Sequence, residues 1–414
     1  MRVFQRPRAL ISAALFCCSL FAGPAAYAQT QVQPGQVIIS EFRTRGPAGS
    51  ADEFVELYNN TDVPVVVQST DGSAGWSVTQ AEADPVEGFV IFGDPVVIPN
   101  GTIIPARGHL LLTCSSAVGG PYSLNAYAAG DITYAQELMP EGTGIALFST
   151  SEFDNYSSGT RLDAVGYQAA PGLSEGTPLP QSYVVTANTE HSIVRRASGN
   201  LASQDTNNNA ADFILVAANA AQFPGSRLGA PGPENSASPV VNNTTIALTL
   251  FDPSASASSP PNRERRPNVV PNGNLGTLII RRRVTNNTGR PVTRLRFRIA
   301  EMTTIGTENT CGRALCADIR ALTSQDGEAG SPSMGVVPIR GLRLEEPPAQ
   351  PLGGGFNSSL SADFITLSSP LLPGESVNVH FVLGVMRSGT FRFFVNIEAH
   401  ADPAIADEVV GPLR

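Results

Sequence analysis

Apolar and polar residues alternate with period two along most of this chain, and that alternation leaves little room for helices. It marks residues 37–42, 53–58, 144–149 and 162–167 in the first half. In the second half it marks 246–251, 275–284, 292–299, 376–383 and 390–399. Successive strand side chains point to opposite faces, so each run offers one apolar face to a core. The runs are rich in Val, Ile, Thr and Phe and are separated by Asn, Gly and Pro, the residues that close turns. Gly and Pro supply 72 of 414 residues, about 17% where soluble proteins carry about 12%. No stretch beyond one or two turns shows helical periodicity. The expected fold class is all-β, with two β-sandwich domains.

The first 28 residues predict the compartment. Arg2, Arg6 and Arg8 precede an apolar run over 9–23, and Ala26-Tyr27-Ala28 places small residues at −3 and −1 of a cut. That is the pattern of a secretory signal peptide cleaved after Ala28. The apolar run falls short of the roughly 20 residues of a membrane span, and no later stretch approaches that length. The rest of the chain is expected to be exported to the extracellular space, periplasm or cell surface, and not to span a membrane. Three cysteines then remain: Cys114, Cys311 and Cys316. In an oxidising compartment Cys311 and Cys316 are expected to close a local disulfide. Free thiols and a zinc half-site are the alternatives, although no His or second Cys pair lies near. Cys114 ends the apolar run Leu110-Leu111-Leu112-Thr113 and is expected to be a buried hydrophobe.

Charge divides the exported part in two. Residues 29–240 hold 7 Arg against 21 Asp and Glu, net −14, whereas residues 241–414 hold 17 Arg against 15, net +2. A Pro/Gly/Ser-rich run from Pro224 to Pro239 lies at the change and has linker composition. The expected organisation is a signal peptide (1–28), a first sandwich (29–235), a linker (236–243) and a second, Ig-like sandwich (244–414). Residues 252–276 are expected to form a long exposed loop. All 27 cations of the chain are Arg and none is Lys, which excludes Schiff-base chemistry, a phosphate-loop lysine and a lysine general base.

Several phrases of the first half occur in an order that resembles one family. Val37-Ile38-Ile39-Ser40-Glu41-Phe42 is followed by Asp52-Glu53-Phe54-Val55-Glu56-Leu57-Tyr58-Asn59-Asn60, then by Gly75-Trp76-Ser77-Val78. Ile104-Pro105-Ala106-Arg107-Gly108-His109-Leu110-Leu111-Leu112, Gly144-Ile145-Ala146-Leu147-Phe148 and Leu162-Asp163-Ala164-Val165-Gly166-Tyr167 come next. His191-Ser192-Ile193-Val194-Arg195-Arg196 and Gly229-Ala230-Pro231-Gly232-Pro233-Glu234-Asn235 close the series. Residues from about 33 to 235 thus resemble the lamin tail domain in its bacterial, secreted form. The resemblance implies an immunoglobulin-like sandwich in an interaction or surface module, sometimes appended to hydrolases, and it implies no catalytic residues. The stretches 76–104 and 117–136 are longer than the simplest pattern. Trp76, the only Trp, is expected to fill the core.

Chemical constellations are sparse. The four His (His109, His191, His380, His400) form no His-Glu-x-x-His motif, and no Gly-x-Ser-x-Gly elbow, phosphate loop or dinucleotide fingerprint occurs. The carboxylates of Glu53 and Glu56 suit acid/base work on a sugar, but suit an acidic sandwich face better. Asp205, Asn207, Asn209 and Asp212 put oxygens at spacings resembling the start of a calcium loop, without its turn Gly and closing Glu. Asx-turns explain the same residues with no metal, so the expectation is no cofactor, with calcium as the alternative.

The arginines are more distinctive. Arg281 and Arg283 share one strand face, and Arg294, Arg296 and Arg298 share another, opposite Leu295, Phe297 and Ile299. Asn286-Asn287-Thr288-Gly289 reads as a hairpin turn; pairing across it would set the two faces side by side as one cationic patch. That patch has three readings: a solvated outer face, a surface docking on the acidic first half or a partner, and a nucleic-acid site. A net charge of −12 after signal removal and the lack of interleaved aromatics weigh against nucleic acid. The function expected from sequence is an exported, non-enzymatic interaction or structural protein of the envelope or extracellular space, with a protein or glycan partner. The alternatives are an accessory protein of a secreted hydrolase and a calcium-stabilised adhesin.

Overall fold

The computed structural model describes residues 31–401, except 85–87, 92–93, 117, 136–140, 168–173, 199–202 and 308–315. The expected signal peptide (1–28) and Cys311 therefore lie outside the described residues. The architecture is all-β, of sandwich type, with four main sheets.

Two sheets enclose the first core. One has seven strands, in the order Arg227–Leu228, Phe213–Ala217, His191–Arg195, Val37–Arg43, Phe54–Asn59, His109–Cys114, Ile132–Tyr134. The other runs Arg161–Gly166, Gly144–Phe148, Gly75–Asp84, Gly88–Ile91, with Val96–Pro99 also paired to Gly75–Asp84. Between them Val55, Leu57, Leu110, Leu112, Ile145 and Leu147 interdigitate around Trp76. Trp76 is 1% exposed, and its indole N–H donates to Gln68 O at 3.1 Å, so a large apolar body is buried with its one polar atom satisfied. The stretch 76–104 forms the Gly88–Ile91 and Val96–Pro99 strands.

The second core lies between a sheet ordered Val240–Val241, Phe393–Ala401, Val292–Met302, Ser359–Ser361, Arg343–Leu344 and one ordered Ile246–Leu250, Thr277–Asn286, Ser376–Arg387, Asp318–Leu322. Leu295, Phe297 and Ile299 face Leu278, Ile280, Phe381 and Leu383. Phe297 and Phe381 meet edge to face, with ring centroids 5.1 Å apart. The strand Arg263–Arg266 adds to Thr277–Asn286, so residues 252–276 are more ordered than a loop. Asn262 organises the turn before it: its buried amide donates to Asp252 O at 2.7 Å and Ala255 O at 3.1 Å.

The expected hairpin does not form. Thr277–Asn286 and Val292–Met302 belong to different sheets, and residues 287–291 cross over the sandwich edge. Pro291 has no N–H to give a ladder. Asn286 meanwhile donates its amide to Arg290 O and Leu371 O, both at 2.8 Å, and accepts from Thr288 N at 3.0 Å. The arc is held by this Asn side chain rather than by strand pairing.

The linker expectation also changes. Residues Leu228 to Glu234 are buried, and Val240–Val241 pairs with Phe393–Ala401. The Pro/Gly run is a strap lying between the two sandwiches, and the described residues from Val32 onward form one compact unit. Phe356 of the second sandwich packs on Val194, Ile214 and Val216 of the first sandwich's seven-stranded sheet.

Candidate functional site

Where the seven-stranded sheet meets the Val292–Met302 sheet, the buried contact is ionic rather than apolar. On Phe54–Asn59 the odd-numbered Val55 and Leu57 enter the core, which turns Glu56 and Tyr58 outward toward the second sandwich. His109 is the cross-strand partner of Tyr58, their rings 4.9 Å apart. Glu41 joins them from Val37–Arg43. The two carboxylates of the expected acidic face are both buried, Glu53 at 0% and Glu56 at 3% exposure, and of the two Glu56 lines the space between the sandwiches.

From the opposite side come Arg296 and Arg298, 2% and 8% exposed. Glu398 lies directly across from Arg296 in the sheet. It takes Arg296 Nε at 2.5 Å and Arg298 Nε at 2.8 Å. Arg296 Nη2 pairs with Glu234, and Arg298 Nη2 lies 3.0 Å from Glu234 Oε2, at ion-pair distance without hydrogen-bond alignment. Arg296 Nη1 is 3.5 Å from Glu345, which also accepts from Tyr127 at 2.8 Å. The strap threads the cluster. Glu234 N donates to Glu56 Oε2 at 2.6 Å, Gly232 N to Glu41 Oε1 at 3.1 Å, and Arg298 Nη1 to Gly232 O at 3.0 Å. A Cβ on Gly232 would sit 2.2 Å from Arg298 Nη1, so a larger residue here would have to push the Arg298 guanidinium aside.

Five carboxylates (Glu41, Glu56, Glu234, Glu345, Glu398) therefore surround two guanidiniums. Burial, modified by the neighbouring charges, sets the protonation states. Burial pushes the Glu56 carboxyl well above its usual range, and neighbouring Glu41 adds to the shift. Burial also raises Glu41, against the opposing pull of Arg298. Glu345 is held below its usual range because Arg296 and its hydrogen bonds outweigh the burial. His109 is pushed well below its usual range by burial and then by Arg298 and Arg296, so the imidazole is neutral near pH 7.

A cavity of about 70 Å³ lies among these groups. Glu56, His109 and Glu234 bring one ligand atom each within 4.8 Å of one another, as a metal site would. The guanidiniums at both Glu234 oxygens take up that charge instead, which makes the cluster an ion-pair seam.

The other predicted residues fall elsewhere. Arg294 stays at the seam's edge, 3.8 Å from Glu345. Arg281 and Arg283 lie on the far sheet of the second sandwich, where Arg281 pairs with Glu264 and Arg283 is exposed. The two arginine faces are thus on opposite sides of that sandwich, not side by side.

Asp205, Asn207, Asn209 and Asp212 do not gather into an oxygen cage. Asp212 accepts from Thr206 N at 2.9 Å and Thr206 Oγ1 at 2.7 Å, while Asn207 N closes an Asx-type turn on Asp205 at 3.3 Å. Asn209 points into the first sandwich, accepting from Glu175 N at 3.0 Å and donating to Ala164 O at 2.9 Å. Asp205 instead approaches Asp163 and Glu175, with Arg195 between the two aspartates. Glu175 is left with a buried oxygen lacking a hydrogen-bond partner, and burial followed by Asp163 and Asp205 pushes its carboxyl up to about 8.

Cys316 is disulfide-bonded, while the expected partner Cys311 lies outside the described residues. Cys114 carries a buried thiol outside any disulfide.

Sequence reasoning missed Glu41, Glu234, Glu345 and Glu398 as counter-charges. One signal was available: Glu398 lies in the 390–399 strand run, and a cross-strand partner of opposite charge suits a row of arginines. No family model matches the chain, and no curated protein matches it. No helix among the described residues is long and apolar enough to cross a membrane.

Proposed function

We propose that this protein is an exported, non-enzymatic interaction or structural protein of the cell envelope or extracellular space, binding a protein or glycan partner. The observation that supports this reading is the ionic seam. It uses buried ion pairs to hold two sandwiches as one compact unit, which suits presenting a fixed outer surface. Glu234, Glu345 and Glu398 are committed to guanidinium pairing, and Glu41 and Glu56 accept from backbone N–H groups of the strap. The lamin-tail resemblance of residues 33–235 supports the same reading through residue order.

The test is to incubate the purified exported chain with envelope and culture-medium fractions and identify what it retains, alongside turnover assays on polysaccharide, ester and nucleic-acid substrates. Saturable retention of a defined protein or glycan without turnover is the expected result. Hydrolysis that is lost in Glu56→Gln would overturn the non-enzymatic reading.

A further inference from the structure

The second sandwich has an opening that the seam does not use. Between Ile246–Leu250 and Thr277–Asn286 of one sheet and Phe393–Ala401 of the other lies a cavity of about 550 Å³, within the roughly 300–1,000 Å³ of small-molecule sites. Its floor belongs to the core: Ile246, Ile280, Phe381 and Ile397 are buried. Phe394, 51% exposed, stands at its rim.

Two cations face into this apolar space. Along Thr277–Asn286, Leu278, Ile280 and Val284 point into the core, and Arg282 has the same parity. Arg263 is the cross-strand neighbour of Ile280, on the same face and diagonal to Arg282. Arg282 Nη1 donates to Arg281 O at 2.8 Å, and Arg263 Nε to Ser258 O at 3.2 Å. Arg263 also stands 5.8 Å from the centre of the Phe391 ring.

Among the described residues neither has a carboxylate at ion-pair distance, whereas Arg281 and Arg266 nearby both pair with Glu264. Burial and the proximity of Arg263 push the Arg282 guanidinium below its usual range. Half-buried like charges without a counter-ion are unfavourable, and an anion placed between them removes that cost. A neighbouring cavity of about 200 Å³, lined by Arg263, Arg265, Arg387 and Phe391, extends the cationic rim.

We propose that this cleft binds a small single-chain amphiphile bearing a carboxylate, its chain lying on Ile280 and Phe381 between the sheets and its head held by Arg263 and Arg282. The occupant follows from the complementarity of an apolar floor with a doubly cationic, acid-free mouth. A sulfated polysaccharide would match the mouth but leave the floor empty. The site stands apart from the seam and from the proposed protein or glycan partner, so its failure would leave that reading in place.

Decanoate is the probe, titrated calorimetrically into the exported chain below its micelle concentration, with decan-1-ol as the uncharged control. Decanoate is expected to bind saturably at one site, and decan-1-ol at least tenfold more weakly. Arg282→Met, which replaces an inward cation by an apolar side chain, should keep the fold and weaken decanoate at least tenfold. Arg263→Gln should weaken it by a smaller factor, and the outward-facing Arg283→Met should leave it unchanged. Absence of saturable decanoate binding, equal binding of decan-1-ol, or unchanged affinity in both Arg282→Met and Arg263→Gln would overturn the proposal.

Discussion

The two sides of the second sandwich use arginine in opposite ways. On the side facing the first sandwich, Arg296 and Arg298 are more than nine-tenths buried and meet an excess of carboxylates. On the other sheet, Arg282 and Arg263 are only partly buried and meet no carboxylate among the described residues. The same residue type, on strands of the same period, is an interface anchor in one place and an unmatched cation in the other. The difference lies in what the opposite face brings. Glu398 and the strap's Glu234 were folded onto the first set, while the second set faces a cleft whose lining holds no carboxylate and is mostly apolar. A buried guanidinium is tolerable when its counter-charges are built into the fold, and an unmatched one calls for a ligand.

Removing a seam arginine should break this comparison most sharply. Arg296→Met leaves Glu234, Glu345 and Glu398 short of a counter-charge, and a loss of about 3–5 kcal/mol is expected in denaturant unfolding. The equivalent change at Arg282 should leave stability unchanged or raise it, so the two methionine variants should move in different directions. Equal losses at the two sites would show that the contrast is illusory.

A smaller effect comes from pH. Glu56 has its folded-state affinity for protons raised, so the stability it lends is present at low pH and is lost as pH rises above 4.5 through the folded value. Glu56→Gln should therefore flatten the decline of melting temperature on the alkaline side. His109 has the opposite sign: its folded value is depressed, so stability is lost as pH falls below 6.5. Glu56→Gln should leave that acid limb in place.

Away from the seam, Glu175 is raised from 4.5 to about 8 and should give a loss of stability across that window as pH rises. Glu175 sits 3.6 Å from Arg161 and has some solvent contact, so the slope should be shallower than that from Glu56. Glu175→Gln should remove it in melting curves taken between about pH 5 and pH 8. The smallest effect is expected from calcium. With Asp212 and Asn209 committed to backbone and hydroxyl partners, millimolar calcium and chelator should give the same melting temperature. A rise of several degrees with calcium would restore the calcium-stabilised alternative.

Much of the fold was legible because period-two patterning is local. The nine alternating runs all fall on strands, and in the run 53–58 Val55 and Leu57 supply the apolar face that enters the core. The seam was only half legible. The Arg294, Arg296, Arg298 row is plain in the sequence, but pairing with Glu398 depends on strand register and contact with Glu234 on the path of the strap. The hairpin expectation failed because Asn287-Thr288-Gly289 permits a tight turn as readily as an arc over the sandwich edge, and Pro291 tips the choice. The cleft arginine Arg282 was passed over because strand parity leaves it alone on the face opposite Arg281 and Arg283, and only the pairing of Arg263–Arg266 with Thr277–Asn286 brings a second cation beside it.

The sequence alone determined that the chain is all-β, that its halves differ in charge, and which strand faces are apolar, since alternation and composition are properties of neighbouring residues. Only the tertiary structure decided which charges are buried together. The strap brings Glu234 within reach of Glu56, Arg296 and Arg298, residues separated by up to 242 positions along the chain. Charge acts through space in a low-dielectric interior, so its consequence is fixed by who is near whom, and that is set by packing rather than by sequence neighbours.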